Sequence, residues 1–530
     1  MKFHQLSLAF LALALLGCAA PAAHSQNVLT YRYNNGRTGL NSKETTLTPT
    51  NVNVNTFGKL FTLAVDGLVD AQPLYLSAVP ISGGTHNVLI VATENDSVYA
   101  FDADTGAQYW HVSALLSGET PSDDRGCSQI VPEIGISSTP VISRPAGSNG
   151  VIYIVAMSKD SSGNYYQRLH ALNAATGAEL YNGPATISAQ YPGTGDNSSN
   201  GYVIFDPSQY KERSGLLLSD GTVYLTWASH CDIRPYTGWI MAYSAAKLKQ
   251  TSVLNITPNG NEGAIWGSSA GLTMDTEGNI FFLDANGVFD TKLNSSGFPS
   301  SGDYGNGFLH LTTKGGLAVS DYFEMYNQQS ENCCDVDLGS GGALLLPNLK
   351  DSSGNTWQLA AGAGKDGNLY LVNRASMGKF NTSSNKIYQE IPNSLPGGMW
   401  NSPAYFGGKL YYSPVGSPLF AFQFKNAKLE TSPVAQSASS FGFPGATLTI
   451  SSNGETDGIV WGIENASNAA AVLHAYSPTK LTELYNSTQA ANGRDSFGTA
   501  NKYAPPIVIN GKVYAPTTTG VGVFGLLSSK

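Results

Sequence analysis

The sequence predicts an all-β protein, a single eight-bladed β-propeller of four-stranded blades. Its 530 residues include 58 glycines and only 13% charged residues, a composition typical of short strands joined by tight turns. Residues 89–106 and 362–374 share one plan, in which an Asn-Asp or Asp-Gly turn joins two strands. Such a unit buries only one apolar face and needs neighbours on both sides, so its recurrence along the chain indicates a repeat architecture.

The first 26 residues are expected to be an export signal. Lys2 provides a positive end and Leu6–Leu16 is an apolar core too short to span a bilayer as a mature helix. Two processing routes remain open, because Leu15–Cys18 resembles a lipobox with Cys18 lipidated, whereas ordinary cleavage would follow Ser25. The mature protein is therefore expected to be periplasmic, a cell-envelope lipoprotein or secreted, and to contact a membrane only through such a lipid anchor.

Residues 27–56, which are rich in Asn and Thr, are expected to form a surface lead-in. A free strand at 58–64 follows and precedes the first repeat. We expect this strand to pair with the last blade, around 520–527, and so to close the ring and remove exposed edges. The propeller is thus predicted to span residues 57–530, with functional residues on the loops of one rim.

A recurrent marker along the chain is a Gly that precedes an apolar residue and an aromatic residue within a strand, as in Gly150–Tyr153 and Gly511–Tyr514. The glycine suits the turn, and the aromatic ring suits packing between neighbouring sheets. The eight repeats centre on residues 71–113, 137–185, 214–250, 268–321, 338–380, 402–434, 446–487 and 503–526. We interpret the marker residues as propeller core.

Charge and cysteine content restrict the partners and cofactors. The formal net charge is -9 and Lys and Arg form no basic run, which argues against nucleic-acid binding. Beyond Cys18, the chain contains Cys127, Cys231, Cys333 and Cys334, an even number that predicts disulfides in an exported protein, with three pairings open. Haem is not expected, because no Cys-x-x-Cys-His motif occurs.

The repeats resemble those of the pyrroloquinoline quinone (PQQ) dehydrogenases and their PQQ-like propeller relatives, over nearly all of the mature chain. Quinoprotein alcohol dehydrogenases hold PQQ above a Trp, with a calcium ion bound by a Glu, an Asn and the quinone. An Asp is their general base, and a Lys or Arg polarises a quinone carbonyl. Residues 265–287 follow the family pattern around the Trp and the Asn. The resemblance therefore implies that Trp266 stacks on PQQ and that Asn286 binds calcium.

The other site residues are carried over from further motifs of the same family. A Cys-Asp-Val-Asp segment matches the family's segment around the catalytic base, which implies that role for Asp335, with Asp337 as the neighbouring candidate. Lys365 opens a Lys-Asp-Gly turn before an aromatic strand and matches the residue that polarises the quinone carbonyl. Asp232 is the nearest counterpart of the metal-binding Glu and is one carbon shorter.

Three features depart from the family pattern. The adjacent pair Cys333–Cys334 stands beside Asp335, whereas the quinone enzymes carry such a pair in an early blade. Asp-Ala precedes Asn286 where the family has a Gly-rich turn. The metal-binding Glu is replaced, with Asp232 as its counterpart.

The resemblance implies a PQQ- and calcium-dependent oxidoreductase that acts on an alcohol or sugar hydroxyl and needs an external electron acceptor. A hard cation prefers carboxylate and amide oxygens, a cationic Lys stabilises developing negative charge, and a carboxylate can take the hydroxyl proton. The alternative is a non-catalytic propeller that binds a protein or a glycan through its rim loops. Convergence of Asp232, Asn286, Asp335 and Lys365 on the axis of the ring would favour the enzyme, and their placement on separate outer surfaces would exclude it.

Overall fold

The computed structural model describes residues 26–465 and 469–528, which are almost entirely β-structure. The expected export signal, with Leu15–Cys18 and the cleavage position after Ser25, lies outside these residues. No helix within the described ranges is long and apolar enough to cross a membrane. The short helical elements are Tyr31–Tyr33, Pro207–Gln209, Gly267–Ser269, Gln328–Asn332, Leu338–Ser340 and Ala491–Gly493.

Eight sheets of four or five strands follow one another along the chain, one for each predicted repeat. Sheet 1 contains Leu74–Ile81, Gly84–Ala92, Ser97–Asp102 and Gln108–Ser113. Sheet 2 contains Glu119–Pro121, Val141–Ser143, Val151–Asp160, Tyr165–Asn173 and Ala185–Thr186. Sheet 3 contains Leu217–Ser219, Thr222–Thr226, Trp239–Ser244 and Gln250–Asn255. Sheet 4 contains Thr273–Met274, Ile280–Leu283, Phe308–Thr312 and Ala318–Phe323.

The second half of the chain continues the same pattern. Sheet 5 contains Leu344–Leu345, Leu359–Ala363, Leu369–Asn373 and Gln389–Ile391. Sheet 6 contains Ala404–Phe406, Lys409–Tyr412, Ser417–Lys425, Lys428–Leu429 and Ala435–Phe441. Sheet 7 contains Leu40–Asn41, Thr449–Asn453, Thr456–Glu464, Val472–Tyr476 and Glu483–Asn486. Sheet 8 contains Phe57–Ala64, Ile507–Ile509, Lys512–Pro516 and Gly520–Leu526.

Three smaller sheets lie in the connections. They are formed by Gln190–Pro192, Ser198–Ser199 and Tyr202–Ile204, by Tyr210–Lys211 and Ala228–Ser229, and by Leu349–Lys350 and Thr356–Trp357. All of these pairings are antiparallel, as they are in the large sheets except where Leu40–Asn41 pairs in parallel with Thr449–Asn453.

Strands from the two ends of the described chain share sheet 8. Phe57–Ala64 pairs antiparallel with Gly520–Leu526, in a register that runs from Phe57 opposite Leu526 to Ala64 opposite Gly520. The strand pairing that the sequence predicts is therefore present.

Three of the marker aromatics connect one sheet to the next, as predicted for core residues. The side chains of Tyr153, Tyr411 and Tyr514 are buried. Their hydroxyls donate to backbone carbonyls of an adjoining sheet's turn, those of Ala245 (3.1 Å), Pro478 (2.9 Å) and Ala103 (3.0 Å). Because buried tyrosines need a partner for the hydroxyl, the aromatic marker both fills and orients the interface between sheets. The Tyr514 contact joins sheet 8 to sheet 1.

Residues 28–41, called the N-terminal segment below, differ from the surface position expected for residues 27–56. This segment hydrogen-bonds to all eight large sheets. Backbone bonds pair Val28 with Tyr75, Leu29 with Ile142, Asn35 with Met274, Gly36 with Leu345, Thr38 with Tyr405 and Gly39 with Ile450, and side-chain amides of Asn35 and Asn41 donate to Leu218 and Val508. The sheets therefore present their edge strands to one short segment, and its polar composition serves buried hydrogen bonds rather than solvent.

Two arginines of the N-terminal segment are buried and bonded to backbone carbonyls. Arg37 donates to the carbonyl oxygens of Tyr31 (2.8 Å), Leu216 (3.0 Å) and Leu272 (2.9 Å) and to Thr30 Oγ1 (2.6 Å). Arg32 donates to the carbonyl oxygens of Pro403 and Leu448. A buried guanidinium is costly unless it is hydrogen-bonded, so these bonds make the burial tolerable. Gly39, at φ 68°, leaves room for Arg32, because a Cβ there would lie against its guanidinium.

Candidate functional site

The five residues that the family resemblance implies for a cofactor site line one cavity of about 300 Å³. They are Asp232, Trp266, Asn286, Asp335 and Lys365. All five lie in loops beside strands of sheets 3, 4 and 5, or directly before a short helical turn. Loops held at one end of a rigid set of sheets are a common location for binding residues. The structure therefore brings these residues together in one cavity rather than on separate surfaces.

Lys365 stands between two carboxylates. Its Nζ lies 2.5 Å from Asp335 Oδ1 and 2.5 Å from Asp337 Oδ1. Burial opposes the positive charge of Lys365, but the two carboxylates outweigh burial and raise its pKa. The ammonium also lies 5.9 Å from the centroid of the Trp266 ring. The lysine is therefore a fixed positive charge at the wall of the cavity.

Asp337, which the sequence offers only as the neighbouring candidate for the base, has a structural role in the site. Its side chain is only 2% exposed and accepts a hydrogen bond from Trp266 Nε1 at 3.0 Å. Burial raises the pKa of Asp337 to about 6, against the effect of Lys365 and Trp266. The bond fixes the plane of the indole ring, so that Asp337, Lys365 and Trp266 form one network.

Asp335 is the accessible carboxylate of the pair, with a side chain 65% exposed. Its Oδ1 accepts from Asn286 Nδ2 at 2.9 Å and from Lys365 Nζ at 2.5 Å. Both contacts are to the same oxygen. Among the described residues, Oδ2 accepts no hydrogen bond and is the atom left for a ligand.

Asn286 offers an acceptor that the protein itself does not use. The residue is 6% exposed, and its Oδ1 is buried with no hydrogen-bond partner in the described part of the chain. Leaving such an amide oxygen unpaired costs about 1–3 kcal/mol, which a bound cation or donor would recover. Because Nδ2 is held by Asp335, the position of Oδ1 is fixed.

The Asp-Ala that replaces the family glycines has a clear structural role. Asp284 is fully buried and accepts backbone bonds from Asn306 (2.9 Å) and Gly307 (2.8 Å). These bonds brace the loop that presents Asn286. Gly287 is required by close packing, because a Cβ would lie 2.6 Å from the Gly263 backbone nitrogen.

Asp232 lies at the exposed side of the cavity. Its Oδ1 accepts from Ser229 Oγ at 2.9 Å and from Tyr236 OH at 2.7 Å. Within the described ranges, no group of three or more His, Cys, Asp or Glu side chains is placed to hold a metal ion. Asp232 Oδ2 and Asn286 Oδ1 are thus two oxygens of cavity-lining residues with no hydrogen-bond partner in the described part of the chain, and oxygen is the atom type that a hard cation prefers.

The structure forms one disulfide and leaves the other two cysteines unpaired, so none of the three complete pairings is present among the described residues. Cys127 and Cys231 form the disulfide, which ties the loop of Asp232 to the loop between Glu119–Pro121 and Val141–Ser143 of sheet 2. Cys333 and Cys334 are free and exposed, with their Sγ atoms 3.0 Å apart. The disulfide therefore borders the cavity, whereas the adjacent pair lies beside Asp335.

Sequence reasoning missed several residues that line the same cavity. They are Gln129, Lys211, Trp400, Phe443 and Tyr503. The rings of Trp400 and Phe443 meet edge-on at 5.8 Å, and Phe443 is 44% exposed at the opening. Trp400 and Tyr503 both stand a few residues before the first strand of their repeat, as Trp266 does. That shared position is the signal that would have identified them.

Comparison with known proteins finds similarity of structure. No family model and no curated protein matches the sequence. The quinohemoprotein alcohol dehydrogenase from Comamonas testosteroni superposes with a TM-score of 0.62 at 13% identity, over 95% of this chain and 81% of that chain. The quinohemoprotein alcohol dehydrogenase ADHIIG from Pseudomonas putida HK5 superposes with a TM-score of 0.61 at 12% identity, over the same shares.

This similarity confirms the predicted resemblance at the level of the fold. The protein has the β-propeller fold of the quinoprotein alcohol dehydrogenase-like proteins. At 12–13% identity, the likeness concerns the fold and not the activity.

Proposed function

We propose that this protein is a PQQ-dependent oxidoreductase of alcohol or sugar hydroxyls. The observation that carries the proposal is the convergence on one cavity of the residues that the family motifs single out. Sequence motifs alone leave each of these residues open to an ordinary role in a turn or in the core. Their meeting in a single pocket, with fixed charges and an unpaired acceptor, favours a shared function.

The redox function rests on an eight-bladed ring. Pairing of Phe57–Ala64 with Gly520–Leu526 supports ring closure, and so does the Tyr514 contact from sheet 8 to sheet 1. The N-terminal segment, which contacts all eight sheets, supports the same arrangement.

The bound quinone would supply the two-electron acceptor for the alcohol. Trp266 provides a flat apolar face for an aromatic ligand, held in plane by Asp337. Lys365 places a positive charge beside that face, where it stabilises negative charge that develops on a ligand oxygen. Asp335 takes the hydroxyl proton at Oδ2, since Asn286 and Lys365 occupy Oδ1 and orient the carboxylate.

Calcium is the metal proposed for this site, with Asn286 Oδ1 and Asp232 as the protein ligands. The support is the unpaired, buried state of Asn286 Oδ1 and the preference of hard cations for oxygen. Asp232 would offer the carboxylate oxygen that accepts no bond from Ser229 or Tyr236.

We also propose that the protein works outside the cytoplasm and passes electrons to an external acceptor. The Cys127–Cys231 disulfide supports an oxidising compartment. Export and the choice between lipidation of Cys18 and cleavage after Ser25 are testable by mass spectrometry of the mature N-terminus.

The proposal is tested by titrating purified mature protein with PQQ, with and without calcium. We expect a bound chromophore and a calcium-dependent rise in melting temperature, followed by turnover of alcohols or sugars with an artificial acceptor. Asp335→Asn is expected to bind PQQ and to lose roughly a hundredfold or more in kcat, as general bases typically contribute. Asp220→Asn, a change of the same kind at an exposed turn, is the matched control.

Failure of PQQ to bind at high concentration would instead favour a non-catalytic propeller. The exposed aromatic side chain of Phe443, edge-on to Trp400, would then be the first surface to test for a glycan or protein partner.

A further inference from the structure

A second cavity, of about 240 Å³, adjoins the first and shares Gln129 with it. Its lining includes Asp70, Arg213, Asn501 and Lys502. None of these four residues belongs to the cofactor site proposed above. The second cavity is therefore a separate compartment with its own charged groups.

Arg213 is the unusual residue of this compartment. It is 3% exposed, yet its guanidinium makes no hydrogen bond to the described residues, and its Nε is buried without a partner. The nearest carboxylate oxygen, Asp70 Oδ2, lies 3.8 Å from Nη2. The Tyr503 ring lies 4.7 Å from Cζ and holds the side chain in place. A guanidinium has five N–H donors, and none of those of Arg213 bonds to the described residues, so Arg213, which lines the second cavity, has donors available for a ligand.

Two lysines add positive charge beside Arg213. Lys211 is 1% exposed and donates to Gln129 Oε1 at 2.6 Å. Burial, together with the charge of Arg213, lowers the pKa of Lys211 to about 7. Burial and Arg213 also lower the pKa of Lys502, against the effect of Asp70. Lys211 lines the first cavity, whereas Arg213 and Lys502 both line the second, where an anion between them would relieve their mutual repulsion.

The nearby acids do not neutralise this cluster. Asp70 Oδ1 already accepts from Asn501 Nδ2 at 2.7 Å. Glu94 and Glu212 are fully buried, and burial raises the pKa of both well above the ordinary value. Among the residues that line the second cavity, Asp70 is the carboxylate that faces Arg213 and Lys502.

We propose that the second cavity binds the carboxylate of a small organic acid, with Arg213 as its bidentate partner and Lys502 beside it. The planar guanidinium fork matches the two oxygens of a carboxylate, and such charge-assisted pairs are the strong ones. This binding does not depend on the redox chemistry of the first cavity. Where that proposed function holds, the substrate class that fits both compartments is an alcohol that also carries an acid group, such as a sugar acid.

The test compares gluconate with glucose, two polyols that differ by the carboxylate, using calorimetry on the mature protein without added PQQ. We expect gluconate to bind and glucose not to bind. Arg213→Gln is expected to weaken gluconate roughly tenfold to a hundredfold, the range for charge-assisted bonds. Lys314→Gln, which removes an exposed positive charge elsewhere, is expected to leave gluconate affinity unchanged.

The outcomes separate this inference from the proposed function. Equal binding of gluconate and glucose, or unchanged gluconate affinity in Arg213→Gln, would overturn the carboxylate site. A thermal melt checks that the variant folds, and Lys502→Gln serves as a second variant if it does not. Gluconate binding without PQQ binding would keep this site and remove the redox proposal.

A competition experiment between PQQ and gluconate distinguishes a site for a separate acid from a site for the carboxylates of PQQ itself. If PQQ displaces gluconate, and Arg213→Gln weakens PQQ more than gluconate, the cavity serves the cofactor and the inference is wrong. Simultaneous binding of PQQ and gluconate supports it.

Discussion

Two of the regions that bury arginine differ in how its hydrogen bonds are satisfied. In the N-terminal segment, Arg32 and Arg37 donate to carbonyl oxygens of several sheets. In the second cavity, Arg213 is nearly as buried but has no hydrogen bond within the described residues. Burial of a charge is common to both regions, so burial does not separate structure from function. The structural arginines are distinguished instead by their hydrogen bonds to backbone carbonyls, which Arg213 lacks among the described residues.

The two regions are built on the same stretches of chain. Arg213 precedes Leu216, whose carbonyl accepts from Arg37, and Trp266 precedes Leu272, which accepts from the same arginine. Arg37 therefore anchors the chain just after the loops that carry Arg213 and Trp266. A fixed base of this kind lets unpaired groups at the cavity keep their positions, as a preorganised site requires.

The largest loss of stability is expected from replacing Arg37 of the N-terminal segment. Arg37→Met leaves the carbonyls of Tyr31, Leu216 and Leu272 buried without donors. At about 1–3 kcal/mol for each unpaired group, we expect a loss of roughly 3 kcal/mol or more in the free energy of unfolding. Urea and thermal unfolding midpoints measure it. A midpoint equal to that of the unchanged protein would mean that these bonds do not support the fold.

The same substitution at Arg213 tests whether the arginine of the second cavity contributes to stability. Arg213→Met removes a buried charge that has no hydrogen bond to lose and leaves an apolar side chain against Tyr503. We expect the unfolding midpoint to be unchanged or raised, with a change below about 1 kcal/mol, because replacing a poorly paired buried charge by an apolar group is often neutral or stabilising. A loss as large as that of Arg37→Met would make Arg213 structural.

A pH-dependent effect is expected from Asp337. The charged groups around Asp337 are Lys365, Asp335 and Asp284, with Trp266 as donor. Burial raises the pKa of Asp337 from 3.8 to about 6, so the folded protein keeps a proton that the unfolded chain has released. Stability from this group is therefore fully present below pH 4 and is lost as pH rises to about 6.

Asp337→Asn isolates that contribution. Relative to the variant, the unchanged protein is expected to lose thermal stability between pH 4 and 6, and the difference should be level above that window. Melting curves at half-unit pH intervals provide the measurement. Parallel curves across the whole range would show that Asp337 does not titrate there.

The fold was predictable from sequence because its signals are local. The Gly-aromatic markers and tight turns repeat within each unit, and each marks a strand that the structure contains. The five site residues followed from family motifs because their spacing from the strands is retained. Their roles remain a proposal.

Other features escaped prediction because their causes are distant in sequence. The N-terminal segment was expected at the surface, since its Asn-rich composition resembles a loop, but its partners are strands up to several hundred residues away. Lys211, Glu212 and Arg213 form a charged triplet that local patterning would place in solvent, yet all three are buried. The structural role of Asp337 also escaped prediction, because it depends on a tertiary contact, the hydrogen bond that Asp337 accepts from Trp266.

The contacts of residues 28–41 have a consequence for biosynthesis. Synthesis from the N-terminus produces this segment long before the edge strand of sheet 8, because Val508 lies 467 residues after Asn41. Arg37 has all of its partners once Leu272 is made, whereas Arg32 has both of its own only once Leu448 is made. Contacts of such long sequence separation form slowly. A fragment that ends before Pro403 lacks both carbonyl partners of Arg32. Such a truncated product therefore contains an arginine whose charge has lost these hydrogen bonds.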